Sequence, residues 1–231
     1  MCRVFRFYDR GKPMSSYFPN GTQYAISTTL AAAIALTAIT NANPAVASAA
    51  APPADGSIVV LASGWSALND TVAKTANAAA DSFELAGVDT TSLVDFPAGA
   101  GAGTARVAGG WVPITQVRSN NVTGGEQQFF TYQYVEDKSN RQRQKPTTKS
   151  PIVITLNMDY DPALPWYEAL IQADKLGQPV ILRATLTSGD VIYYLAYPSF
   201  NKVPTGGLNE NQQNVATFSL LGDPVRYEAA A

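Results

Sequence analysis

The 231-residue chain is 46% hydrophobic and 15% charged, and its 16 Lys and Arg face 18 Asp and Glu for a formal charge of −2; such a chain can bury a core and lacks the basic excess of a phosphate-neutralising surface. It has no histidine and one cysteine, Cys2, which excludes an intramolecular disulfide, Ser-His-Asp and Cys-His nucleophiles, an imidazole base and the usual His-containing zinc sites. No stretch approaches the roughly 18 uninterrupted apolar residues that span a bilayer.

Charge is unevenly placed: residues 1–13 carry +3, 14–135 carry −4, 136–150 carry +3 and 151–231 carry −4. Met14 reads as the natural start, so residues 1–13 are expected to be a leader, mis-called from the gene boundary or disordered. From Leu30 to Ala50 runs LAAAIALTAITNANPAVASAA, which has the apolar stretch and A-x-A site of an export signal. The basic residues stop at Lys12, however, and a spacer with Pro13, Pro19 and the turn pair Asn20-Gly21 separates them from Leu30. The run therefore reads as a packed strand with a turn at Asn43-Pro44.

Further along, short strands alternate with turn clusters. GSIVVLASGW (Gly56–Trp65) is a buried strand after Pro52-Pro53 and Asp55-Gly56, and DSFELAGVDTT (Asp81–Thr91) alternates Phe83 and Leu85 before turning at Gly87. The glycine-rich run Ala98–Gly110 reads as a flexible connector. WVPITQVRS is a strand, and QQFFTYQYVED places Phe130, Tyr132 and Tyr134 on one face by period-two alternation. The polar loop 136–150 follows. PIVITLNMDY then sets Ile152, Ile154, Leu156 and Met158 against Val153, Thr155, Asn157 and Asp159. A helix is expected over about 162–176, with Trp166, Leu170 and Ala173 at i, i+4 and i+7 packing on a sheet, an early Pro and Gly177 past its end. A hairpin turning at Ser188-Gly189 and a last strand VATFSLLGDPV close the chain. The pattern is all-β, an antiparallel sandwich or barrel with one flanking helix.

Candidate chemistry is sparse. PAGAGAGTAR lacks the Gly-Lys-Ser/Thr ending of a phosphate loop and leads into a strand rather than a helix. Asp159 and Asp161 in MDYDP have D-x-D spacing, yet Asp161 before Pro162 is more simply a turn or cap. Lys138, Arg141, Arg143, Lys145 and Lys149 make a basic tip on an acidic body: a solvated turn, a protein contact, or a nucleic-acid contact without aromatic interleaving along the sequence. No catalytic, cofactor-binding or metal residue is nominated, so the chain reads as a non-enzyme without cofactors.

This order of elements resembles the major tail tube proteins of long-tailed, lambda-type bacteriophages. RQKPTTKSPIVITLNMDYD, WYEALIQADKLGQPVILRATLTSGDVIYYLAYPSFNKVP and NVATFSLLGDPVRY carry the likeness; ITNANPAVASAAA, DGSIVVLASGWSALND and DSFELAGVDTTSLVDFPAGAGAG are similar to a small β module of phage structural proteins. The resemblance implies one tail tube domain over 14–231 with a β-module insertion at about 40–105, whose strands join into a continuous barrel in a hexameric ring. It implies that rings stack into a tube for DNA, with a tape measure inside and terminator and distal tail proteins at the ends, in the virion after assembly in the host cytoplasm. It makes loop 136–150, with Lys138, Arg141, Arg143, Lys145 and Lys149, the contact to an adjacent ring, and implies no membrane partner. Acidic residues, drawn from Asp81, Glu84, Asp190 and Glu210, are expected in the bore. A secreted or surface β-sandwich binding module with a cleaved N-terminal signal stays open as the alternative.

Overall fold

The computed structural model describes residues 20–139 and 141–229; the leader 1–13 and the arm from Met14 lie outside the described residues. Sixteen strands and one helix follow in order: β1 Gln23–Leu30, β2 Ile34–Leu36, β3 Ala38–Ile39, β4 Ala45–Ser48, β5 Ile58–Ser63, β6 Thr71–Ala76, β7 Ser82–Ala86, β8 Gly103–Ile114, β9 Val117–Thr123, β10 Gln127–Tyr132, β11 Arg143–Lys149, β12 Val153–Asp159, α1 Pro165–Leu176, β13 Val180–Thr185, β14 Val191–Thr205, β15 Gln213–Leu220 and β16 Val225–Tyr227.

Antiparallel ladders connect β3-β4-β7-β6-β5-β8-β1-β13-β14-β15-β12-β9 in that spatial order, with β2 on β8 and β16 on β14. β8 and β9 are joined only by Thr115 and Gln116, yet six ladders separate them along the sheet. A sheet whose distant strands meet through a two-residue link must curl back on itself. Across the curl, the Asn120 amide donates to the Tyr24 hydroxyl at 2.6 Å. The fold is thus antiparallel β curled into a half-barrel, with one helix.

Inside the curl lies a core containing Ile26, Leu156, Met158, Leu182 and Phe218, and α1 packs into it through the buried Trp166, Leu170 and Ala173. The helix starts at Pro165, three residues later than the sequence expectation. Residues before proline avoid helical backbone, and Leu164 is accordingly extended at φ −81°, ψ 141°. At the other end Gly177 takes φ 60° and its N–H reaches the Ala173 carbonyl, a left-handed cap that costs a glycine little.

A second core, with Leu36, Ala45, Ala47, Leu61, Trp65, Phe83 and Leu85, belongs to β2–β7 and the first part of β8. Ala45 and Ala47 are wholly buried opposite Leu85 and Phe83: their small side chains let β4 approach large neighbours, so the alanines of the signal-like run are packing residues here. A third cluster, with Ile58, Val72, Ile181, Tyr193 and Leu195, joins this module to the half-barrel. Tyr227 pins the joint, its hydroxyl accepting from the Lys74 N–H at 2.8 Å and donating to the Ala86 carbonyl at 3.1 Å.

Three further expectations are corrected. WVPITQVRS, expected as one strand, breaks at Thr115-Gln116 and is divided between β8 and β9. The connector expected over Ala98–Gly110 becomes strand from Gly103 onward, because Gly103–Ala105 lie between β2 and β5, where glycine and alanine allow close neighbours. The loop expected over 136–150 is strand in its second half: Arg143–Lys149 is β11, paired with β10.

Candidate functional site

Three surfaces stand out. The first is the β10–β11 ribbon, hydrogen-bonded to no other strand among the described residues. Its register sets Phe130 opposite Lys145 and Tyr132 opposite Arg143, so cations and aromatics that are separate in sequence alternate across one face. Phe130 and Tyr132 stack at 6.3 Å and Tyr134 meets Tyr132 edge-on at 5.4 Å. The Lys145 ammonium lies 5.1 Å from the Tyr132 ring centroid and the Arg143 guanidinium 5.8 Å from that of Tyr134, cation–π geometry in both cases. Phe129 and Phe130 remain 54% and 61% exposed.

Beyond the strands, Asp137 accepts from the Ser139 hydroxyl and backbone N–H and faces Arg143 at 3.5 Å. The two Ser139 donors come first and second in holding its carboxyl below the ordinary 3.8. Lys138, Arg141, Arg143, Lys145 and Lys149 all belong to this ribbon, Lys138 and Arg141 at its turn and the others on β11.

The second surface is the edge of β9. Its one ladder is to β12, so among the described residues the opposite backbone edge carries no strand partner. The sequence VRSNNVT has no proline and a single charge, and that charge is engaged: Arg118 forks onto both Asp159 oxygens, the second at 3.1 Å. This pair raises the Arg118 pKa and lowers that of Asp159. Proline, charge and bulges are the usual protections of an exposed edge; here only a register shift beside Asn157 interrupts the ladder.

The third is the face of β14, β15, β12 and β9 that looks away from the core. Ladder registers align Ser199, Thr217, Thr155 and Asn121 in one row across the four strands. On one side lie Tyr197, Ser219, Val153 and Thr123, on the other Asn201, Val215, Asn157 and Ser119. An Asn157–Ser119 hydrogen bond of 2.9 Å ties two of these side chains across the ladder. Further back along β14 the same side carries Tyr193 and Leu195, which the module covers.

The D-x-D carboxylates part company: Asp159 serves Arg118, while Asp161 accepts the Ala163 N–H at 3.1 Å as a turn residue. Among the described residues no helix is long and apolar enough to cross a membrane.

The family model for phage tail tube protein, TTP, matches residues 63–229. The chain belongs to the phage tail tube protein family. It is thus a structural subunit of a tail tube. Two solved structures are similar at 11% identity and TM-score 0.40: a chain from "Tail of empty GTA particle computed with helical refinement, C6 symmetry", covering 53% of this chain and 88% of that one, and one from "Virion of native gene transfer agent (GTA) particle", covering 51% and 88%. No curated protein matches.

Sequence reasoning found the basic residues of this tail tube chain but missed the ribbon that arrays them and the open β9 edge. The signal for the edge was weak: Ser119-Asn120-Asn121 has turn rather than strand composition, and only the absence of charge and the bounding Gly124-Gly125 mark it.

Proposed function

We propose that copies of this chain close into hexameric rings by extending the half-barrel through the β9 edge, and that rings stack through the β10–β11 ribbon. The carrying observation is the pair of unsatisfied structures side by side in sequence: a seven-residue strand with an open edge and a ribbon with both faces in solvent. A two-stranded ribbon alone is marginal in water, so packing against another copy stabilises it. Its Lys138, Arg141, Arg143, Lys145 and Lys149 meet an acidic body, which favours a head-to-tail contact between rings.

On this reading residues 14–231 act as one tail tube domain with an inserted module at about 40–105. DNA and a tape measure occupy the channel, terminator and distal tail proteins cap the ends, assembly takes place in the host cytoplasm, and the chain catalyses nothing. Electron microscopy of the purified protein tests the reading, with rings or tubes around a central channel expected. Replacing residues 128–147 by a short Gly-Ser turn should leave rings and abolish stacks. A persistent monomer at high concentration, or stacking unchanged without the ribbon, would overturn it.

A further inference from the structure

We infer that the open face of β14, β15, β12 and β9 lines the channel and meets passing DNA with an uncharged surface, mostly hydroxyls and amides with Val153 and Val215 among them, in place of the acidic bore expected from composition. The inference rests on the tube reading above and adds the surface the DNA meets. Continuing a sheet from copy to copy requires an open edge, and β9 supplies it. The ring's sheet then has one face on the Leu156 and Phe218 core and the other on the open face. Along the neighbouring β13 and first half of β14 the corresponding face is taken by the module, so the bore falls to the face centred on Ser199, Thr217, Thr155 and Asn121.

Charge is missing from three consecutive rows of that face; beyond them Asp159 is neutralised by Arg118, and Lys202 falls where the β14–β15 register shifts, between Asn201 and Thr205. The acidic residues expected in the bore lie elsewhere or are engaged. Glu84 sits on β7 in the module and accepts from Asn77 at 2.7 Å. Asp190 takes Arg226 at 2.7 Å and the Ala229 N–H at 3.1 Å. Asp81 adjoins β7, and Glu210 lies in the turn between β14 and β15.

An uncharged lining has a physical advantage for a moving polyanion. Cations would bind phosphates by releasing counterions and would hold the duplex in place. Carboxylates repeated around a ring and along a stack would repel one another as well as the DNA. Hydroxyls and amides that bond one another across strands, as Asn157 and Ser119 do, do neither.

The test uses tubes assembled from the full chain with a short fluorescent duplex present. Thr155→Lys and Thr217→Lys should trap duplex in a nuclease-protected form, with log affinity falling against log salt by about 0.9 per phosphate neutralised. Wild-type tubes, and tubes of Gln172→Lys on the exposed side of α1, should trap none. Lysine tubes that hold no protected duplex would overturn the inference, as would a helical reconstruction of wild-type tubes placing Thr155 and Thr217 on the outer wall or between protomers; that reconstruction applies even if a lysine variant misfolds. Absence of rings or tubes from the wild-type chain would instead remove the tube reading itself.

Discussion

β10 and β12 alternate apolar side chains in the same way and reach opposite ends. On β12, Ile154, Leu156 and Met158 are 3%, 0% and 0% exposed, whereas Phe129 and Phe130 of β10 are more than half exposed. β12 lies between β15 and β9 and faces the core that α1 packs into; β10 has β11 alone. Alternation therefore sets which residues share a face, and the number of neighbouring elements decides whether the face is covered. On the ribbon the cover within one copy is ionic: Lys145 and Arg143 lie over rings that on β12 would have met other apolar groups.

The largest expected effect comes from breaking the covered side. Leu156→Ala removes a fully buried side chain and should cost about 2–5 kcal/mol, read as a lower denaturant midpoint at unchanged slope. On the uncovered side, a double-mutant cycle of Lys145→Gln with Tyr132→Leu should return a coupling of about 0.5–1 kcal/mol, the worth of an exposed cation–π pair. Smaller still, Phe130→Ala should shift monomer stability by less than about 0.5 kcal/mol while weakening stacking of rings in sedimentation. A cost comparable to that of Leu156→Ala would show that the ribbon is packed within a single copy.

The smallest effect separates two partly buried aspartates, one in each region. Both are held below the ordinary 3.8, Asp137 chiefly by the neutral Ser139 donors and Asp159 chiefly by Arg118. A carboxylate whose folded pKa is depressed adds stability above its unfolded value, and loses it as pH falls through the folded value. Both contributions should therefore fade only under acid, below about 3.8. Carboxyl carbon titration by NMR checks the order: added salt should raise the Asp159 midpoint, whose partner is charged, more than that of Asp137.

Much of this architecture was legible because turn residues and alternation are local signals. The β12 face, the residues of α1 that pack and the turn at Ser188-Gly189 needed no tertiary information. Long-range pairing hid the rest. Gly103–Ala105 has the composition of a linker and is a strand only because β2 and β5 flank it. RQKPTTK looks like loop until Phe130 and Tyr132 supply partners for its cations. The late start of α1 follows from a local rule, the effect of Pro165 on Leu164, which the apolar stripe alone does not reveal. The candidate bore was hidden for a different reason: its neutrality is a property of three rows drawn from four strands, and neighbours along the chain say nothing about it.

The strand shared by the module and the half-barrel sets terms for any attempt to shorten this protein. β8 meets β2 and β5 with Gly103–Val107 and β1 with Ala108–Ile114, so the module leaves the half-barrel just after β1 and returns inside a strand that the half-barrel also needs. A deletion that ends after Ile114 would strip β1 of a ladder, whereas one spanning 32–105 would keep the rungs from Leu30↔Ala108 to Tyr24↔Ile114. The apolar groups uncovered at Ile181, Tyr193 and Leu195 would then need polar replacements. Any shortened version must therefore splice inside β8 and also find new cover for Trp111 and Tyr227, which pack against the same cluster.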